Sequence, residues 1–393
     1  MDQNRRKILQ GLSALGISSG LAACKSTGAA LPPATAAAPT PPAQPFRPQQ
    51  DNQQIRRVPP LKDNYAFLVG AAVYSQQLAS GRPEIDPLQR HFNSLTSEYE
   101  MKAGFISPTE GTFNFTGADQ TVDFAEANKM AVRGHALLWH ESTPDYFLTG
   151  SNSQIKAKLE NYIGTVVDRY KGRIYCWDVV NEVVADNWAA ARTPYRDSIW
   201  YQAVGGPEYI DWAFNAAREA DPDAKLFIND YSTEDPQKRG RLVTVVNDLL
   251  ARNIPLDGVG HQFHTNLDAA LPEFENAINA IDGLNANLEN HITELDVSFY
   301  NDPGSCYNNN VGCDIDAGPN PPRSSFDIQA RIYKHIFDIS RARPSVTSLS
   351  MWGVDDGQSW LNGNPVTRVN HPLLFDRNMQ PKRALYMISD PAL

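Results

Sequence analysis

Two acids in this 393-residue chain stand where chemistry could be done. Cys176-Trp177-Asp178-Val179-Val180 is an apolar, β-branched run that closes on Asn181 and Glu182. A strand buried inside a barrel reads this way. An acid at its C-terminal end lies where barrels keep their active sites. Ile292-Thr293-Glu294-Leu295-Asp296-Val297 repeats the arrangement far downstream. Two carboxyls facing each other across a pocket suit the hydrolysis of a glycosidic bond. One protonates the leaving oxygen, and the other attacks the anomeric carbon or activates water.

The other apolar runs also end in polar or aromatic residues. Glu98, Tyr99, Glu100 and Lys102 close the second, while His135, Trp139 and His140 lie on the third. Asn229, Asp230 and Tyr231 close the fifth, and Gln262 and His264 lie on the sixth. Trp352 ends the eighth, with Trp360 in the loop beyond. A period of two places His135 with Trp139, Gln262 with His264, and Glu294 with Asp296 on shared faces. One such residue is a solvated strand end; clusters on seven strands round one mouth make a site. Sugar rings stack their apolar faces on Trp and Tyr, and their hydroxyls bond to Asn, Gln, His and Lys. Two alternatives use the same residues. His135, His140, His261, His264, Glu294 and Asp296 could ligate a catalytic metal, although the paired His common on the first strand of such barrels is missing. A surface sugar-binding protein without turnover is the other. The expectation is an enzyme with no metal and no cofactor.

Eight short apolar runs can position these residues: Phe67–Val73, Ser94–Lys102, Met130–His140, Ile174–Glu182, Lys225–Tyr231, Leu256–His264, His291–Val297 and Ser348–Val354. Segments of helical apolar spacing lie between most of them, as in Ile155–Tyr170, Val243–Leu250 and Phe326–Ile339. Strand alternating with helix implies right-handed crossovers and a parallel sheet. Eight units predict one α/β domain over residues 58–393, a single (β/α)8 TIM barrel. A doubly wound open sheet is disfavoured, because no glycine-rich phosphate loop follows the first strand.

The globular balance is ordinary, 41% hydrophobic and 20% charged, with a formal net charge of −10 and a pI near 5.3. No basic block is long enough to follow a phosphate backbone, so nucleic acid is not expected as a partner. The N-terminus reads as an address. Arg5 and Arg6 precede an apolar stretch too short for a membrane span, which ends in Leu21-Ala22-Ala23-Cys24. The arginine pair resembles a twin-arginine export signal, and the last four residues resemble a bacterial lipobox with Cys24 as the lipidated residue. Residues 1–23 are therefore expected to be a signal peptide. Residues 24–57, rich in Ala and Pro, are expected to be a tether. The protein is expected to be exported, either secreted or held on the periplasmic or cell-surface side of a membrane through Cys24 alone, and to be a monomer. In such a compartment Cys306 and Cys313 are expected to pair in a disulfide, while Cys176 reads as a buried reduced thiol.

With those residues in place, the chain resembles a family 10 glycoside hydrolase, an endo-β-1,4-xylanase. W-D-V-V-N-E at 177–182 is similar to that family's acid/base segment, and T-E-L-D at 293–296 to its nucleophile segment. R-G-H-x-L-x-W-H at 133–140, I-N-D-Y at 228–231, G-V-G-x-Q-x-H at 258–264, W-G-V-x-D-x-x-S-W at 352–360 and P-L-L-F-D at 372–376 extend the similarity from about residue 60 to the end. The resemblance implies xylan and xylo-oligosaccharides as substrates and retaining hydrolysis, with Glu182 as acid/base and Glu294 as nucleophile. It implies that Asn181 bonds the sugar's 2-hydroxyl, that His264 holds Glu294, and that Asp296 orients His264. Lys102, His135 and Gln262 would bind hydroxyls near the cleavage point, and Glu98 a more distal sugar. Trp139 and Tyr231 would complete the binding surface, and Trp352 and Trp360 would wall off the space a hydroxymethyl arm needs. The chain departs from the family at Tyr99, where Asn is usual, at Ala103, where Trp is common, and at Ser232, where Asn is common.

Overall fold

The computed structural model describes residues 58–186, 193–284 and 286–390. Eight strands alternate with eight main helices: β1 (Leu68–Val73), α1 (Ile85–His91), β2 (Ser94–Ser97), α2 (Thr116–Ala127), β3 (Ala131–Gly134), α3 (Asn152–Arg169), β4 (Cys176–Asn181), α4 (Glu208–Ala220), β5 (Lys225–Asp230), α5 (Pro236–Ala251), β6 (Gly258–His261), α6 (Leu271–Asp282), β7 (Glu289–Ser298), α7 (Arg323–Arg341), β8 (Val346–Met351) and α8 (Arg383–Ser389). Each strand pairs in parallel with the next, and β8 pairs with both β7 and β1, closing the barrel. This is the (β/α)8 architecture expected from the alternation of strand and helix.

Sequence chemistry explains the helices. Ser151 and Gln154 form a capping box at the start of α3. The buried stripe of Ile155, Leu159, Tyr162, Ile163, Val166 and Val167 follows at helical spacing. The Asp235 side chain accepts from the Gln237 and Lys238 amides at the start of α5, where Pro236 needs no partner for its nitrogen. The strands are buried along nearly their whole length. That burial explains runs without polar alternation.

Several boundaries differ from the sequence reading. β2 ends at Ser97, and Glu98–Lys102 turn into a short helix, Ala103–Ile106. β3 breaks after Gly134, the His135–Ala136 peptide is cis, and extended pairing with β4 resumes at Leu138–Trp139. β6 breaks at Phe263, where φ is 50°, and pairing with β7 resumes at His264–Asn266. Alternation by two therefore does not carry through from His135 to Trp139 or from Gln262 to His264. These breaks occur at the strand ends that carry the polar clusters. There the backbone leaves the sheet, so a period of two cannot locate a side chain. Helices α5 and α7 extend past the Val243–Leu250 and Phe326–Ile339 segments of clear periodicity.

Among the described residues no helix is long and apolar enough to cross a membrane. The arginine pair, Cys24 and the Pro/Ala-rich tether lie outside the described residues. Cys306 and Cys313 are joined in a disulfide in the loop after β7. Cys176 is free and buried, and burial pushes its thiol up to about 11, as a core thiol requires.

Candidate active site

The register of β4 against β5 sets one wall of the mouth. Asn181 lies opposite Asn229, and the Glu182 amide donates to the Asn229 carbonyl at 2.8 Å. Glu182 is the first residue beyond β4 and has φ of 61°, a left-handed conformation that costs a non-glycine residue free energy. Arg196 holds that turn from outside, donating from Nε to the Glu182 carbonyl at 2.6 Å. The Arg196 amide also donates to the Val183 carbonyl.

The two acids are linked through side-chain amides. Asn229 Nδ2 donates to Glu294 Oε1 at 2.7 Å and to Asn181 Oδ1 at 2.8 Å. Asn181 Nδ2 donates to Glu182 Oε1 at 3.3 Å, and Gln262 Nε2 reaches both Asn181 Oδ1 and Glu182 Oε1 at 3.3 Å. Thr293 fixes the amide flip of Asn229 by donating to its Oδ1 at 2.7 Å. Gly260 makes room for Asn229: a Cβ there would collide with the Asn229 amide oxygen. A chain of hydrogen bonds thus runs from one carboxylate to the other across β4, β5, β6 and β7.

On its far side Glu294 meets a cation. His264 Nε2 lies 3.1 Å from Glu294 Oε2, and Nδ1 lies 2.9 Å from Asp296 Oδ2. Trp360 Nε1 donates to the same Asp296 oxygen at 2.8 Å. A neutral imidazole has one N–H and cannot donate to both acids. Burial alone would lower the His264 pKa, but Asp296 and Glu294 overcome it and push it up to about 10. His264 is therefore an imidazolium at neutral pH, although 19% of its side chain stays exposed. A group whose folded pKa is raised stabilises fully below its unfolded value near 6.5 and loses that contribution as pH rises through about 10. The urea midpoint is expected to fall between about pH 7 and 10, and His264→Gln should flatten that fall. Parallel curves for the two proteins would show that His264 carries no proton linkage.

His135 donates from Nδ1 to Asp178 at 2.9 Å, and the same nitrogen lies 4.0 Å from Glu294 Oε1. Arg133, fully buried, grips both oxygens of Asp178. Trp352 stands edge-on to His135 at 5.1 Å and to His264 at 6.3 Å, and Trp360 stands edge-on to His264 at 5.0 Å. Lys102 lies 4.5 Å from the Trp139 ring centroid, 5.4 Å from that of Tyr99 and 5.8 Å from that of Trp352. Burial pushes its ammonium below the ordinary lysine value against the pull of Glu294, Glu98 and Glu182. Burial pushes Glu98 up to about 7, which its neighbours Tyr99 and Lys102 restrain. Tyr231 is held by two cations, and the charge of Glu182 also acts on it. Its hydroxyl accepts from Arg196 at 2.8 Å, and its ring is covered by the Lys238 ammonium.

The setting of Glu182 runs against the usual rule for a general acid. A general acid is ordinarily held above its usual pKa. Burial does act that way on Glu182, but charged His140, Arg196, and donors from Trp139 and Gln262 pull it below. The Trp139 indole N–H sits close enough to Glu182 to favour its carboxylate. Burial holds His140 itself at about 4, so above that pH its charge is gone and Arg196 and the two donors remain.

Arg133, Asp178, Thr293 and Arg196 enter the site as residues that residue type alone did not single out, and Asn229, read only as a polar strand end, proves to bond both Asn181 and Glu294. Asp178 and Asn229 carried a signal, being polar residues inside otherwise apolar strands. Arg196 carried none, because it returns to Glu182 from a loop. The six residues of the metal alternative do not converge: His261 bonds Thr233 and Asn290, away from the two acids. Among the described residues one group has metal-like spacing, Asp302 with Cys306 and Cys313. Its sulfurs are bonded to each other, and Asp302 is paired with Arg368.

A closed (β/α)8 barrel with two amide-linked carboxylates and aromatic walls at its mouth is the architecture of a glycoside hydrolase. The chain belongs to Glycosyl hydrolase family 10, whose sequence pattern matches residues 61–391. A β-1,4-xylanase of Dictyoglomus thermophilum is 40% identical over 336 residues, which are 84% of this chain and 90% of that protein. The crystal structure of xylanase B from Clostridium stercorarium F9 is 39% identical with a TM-score of 0.78, covering 85% of this chain and 100% of that one. A solved mutant structure in complex with xylotriose is 34% identical with a TM-score of 0.76, covering 83% of this chain and 97% of that one.

Proposed function

We propose that the protein is an endo-β-1,4-xylanase that cleaves internal bonds of xylan with retention. Glu294 is its nucleophile and Glu182 its acid/base. The observation that carries the assignment is the unequal setting of the two acids. Glu294 is buried and held on both oxygens, by Asn229 on one and by cationic His264 on the other. That fixes a carboxylate in place for attack. Glu182 has weaker, longer contacts from Asn181 and Gln262 and keeps freedom to gain and lose a proton.

In the first step a Glu294 oxygen bonds to the anomeric carbon. The glycosidic bond breaks, and the Glu182 proton passes to the leaving oxygen. In the second step water gives a proton to Glu182 and attacks the anomeric carbon, releasing Glu294. A bound sugar covers Glu182 and offers an oxygen that accepts its proton. Both effects favour the protonated form over the ionised form of the open cleft. Asn181 bonds the 2-hydroxyl. Lys102, His135 and Gln262 bind neighbouring hydroxyls, Glu98 binds a more distal sugar, and Trp139 lies along the same surface. Trp352 and Trp360 close the space beyond the ring's fifth carbon, favouring xylose over glucose. Tyr231 acts indirectly, through Arg196. Retention requires the carboxyls to lie about 5–5.5 Å apart, too close for a water between them. Proton NMR of a fresh xylan digest should therefore show β-xylose ends first, turning to α only with mutarotation; α ends at the outset would reject the mechanism.

The same proposal includes export and lipid attachment at Cys24, supported by the order of the arginine pair, the apolar stretch and Leu21-Ala22-Ala23-Cys24. Residues 24–57 act as the tether and residues 58–393 as the catalytic domain. Cys24→Ser is expected to move the protein from the membrane fraction to the soluble one. Retention in the membrane fraction would remove the lipid from the proposal.

A further inference from the structure

The cleft beside Glu98 and Lys102, where the proposed function places the more distal sugar on the glycone side, carries aromatic surface that the two acids and their partners do not use. Tyr99 is 37% exposed and Phe105 36%. Their ring centroids are 6.1 Å apart, and Tyr74 lies 6.5 Å from Tyr99 on the other side. Three rings from two strand-end loops thus form one continuous surface, with Tyr99 at its centre.

The surface is built rather than incidental. The Tyr74 hydroxyl donates to Gln358 in the loop after β8 at 2.6 Å, and its amide donates to the Gln77 side chain at 3.0 Å. Tyr99 follows directly on buried Glu98 and interacts with its carboxyl through the phenol hydroxyl. Lys102 spans the gap inward, lying over both the Tyr99 and Trp139 rings. Phe105 belongs to the short helix Ala103–Ile106, and Gly104 in that helix donates to the Ser142 hydroxyl at 3.3 Å, tying it to the loop after β3. The side chain next to Lys102 is only a methyl, that of buried Ala103. No bulky group there competes with the exposed rings. Contiguous exposed aromatic surface beside a polar cleft marks a binding surface, and flat rings match the apolar faces of pyranose sugars.

We propose that Tyr99, with Phe105 and Tyr74, is an aromatic subsite that stacks a third xylose on the glycone side, beyond the sugars held at Glu98 and Lys102; this rests on the xylanase reading. Affinity then depends on chain length more than on one hydroxyl of the second sugar.

Aryl β-xylobioside and aryl β-xylotrioside differ only by that third sugar. The trioside is expected to have a kcat/KM about three- to tenfold higher, the scale of one aromatic stacking contact. Tyr99→Phe should keep the ratio, while Tyr99→Ala and Phe105→Ala should each bring it towards one. Both rings are exposed, so these variants should fold, and thermal melting checks this. A ratio near one in the unaltered enzyme, or an undiminished ratio in Tyr99→Ala, would overturn the subsite. So would equal losses on both substrates, which would place Tyr99 at the second sugar. Failure to turn over either glycoside would instead overturn the xylanase reading, and the subsite with it.

Discussion

Glu294→Ala is expected to lose on the order of 10⁵–10⁶-fold in kcat on xylan, the scale on which an enzyme loses its covalent nucleophile. The loss should be as large on a dinitrophenyl xylobioside, because a better leaving group does not replace the missing attacking oxygen. The variant should still fold. His264 keeps Asp296 as its partner, and Asp296 keeps Trp360. Xylo-oligosaccharides should still bind to it, since Lys102, Gln262 and the tryptophans remain. Substantial residual turnover in a preparation free of unaltered enzyme would move the nucleophile elsewhere.

Glu182→Ala is expected to lose about 10²–10⁴-fold on xylan, the range of general acid catalysis. Its signature is dependence on the leaving group. Dinitrophenolate departs without a proton, so the first step should stay fast on the dinitrophenyl substrate. The second step, now without a base, should limit turnover and give a burst. The pH profile should change as well. Glu182 sits below its ordinary value through Arg196, Trp139 and Gln262 in the open cleft. A group with a depressed pKa is ionised above that value, so the unaltered enzyme must gain the proton in the substrate complex. The alkaline limb of kcat should report that proton and should disappear in Glu182→Ala. Equal losses on xylan and the dinitrophenyl substrate would contradict an acid/base role.

The barrel was legible because buried strands and amphipathic helices leave different periods. The eight apolar runs and the helical spacing of Ile155 to Val167 required nothing beyond local chemistry. Glu182 was legible for the same reason, as an acid closing an apolar run, and Glu294 as an acid inside one. The short-range geometry was not. The breaks at His135–Ala136 and Phe263, and the early end of β2, occur where the backbone leaves the sheet, and there alternation no longer reports direction. Glu98 and Lys102 are buried although they lie on a turn and not on a strand. Asn229 could be seen as a polar strand end, but its bridging of both amide and acid depends on the register of β4 against β5 and on bare Gly260. Arg196 was invisible because its effect on Glu182 is purely tertiary. It is also one of the groups that offset the effect of burial on that acid.

Rescue by azide tests the two roles most directly, because the product's configuration reports which acid is missing. In Glu182→Ala the glycosyl–enzyme ester still forms on Glu294, and azide needs no base to attack it. The dinitrophenyl substrate should give a β-xylosyl azide and recovered turnover. In Glu294→Ala azide takes the nucleophile's place in a single displacement and should give the α-azide. Swapped configurations, or the same configuration from both variants, would contradict Glu294 as nucleophile and Glu182 as acid/base.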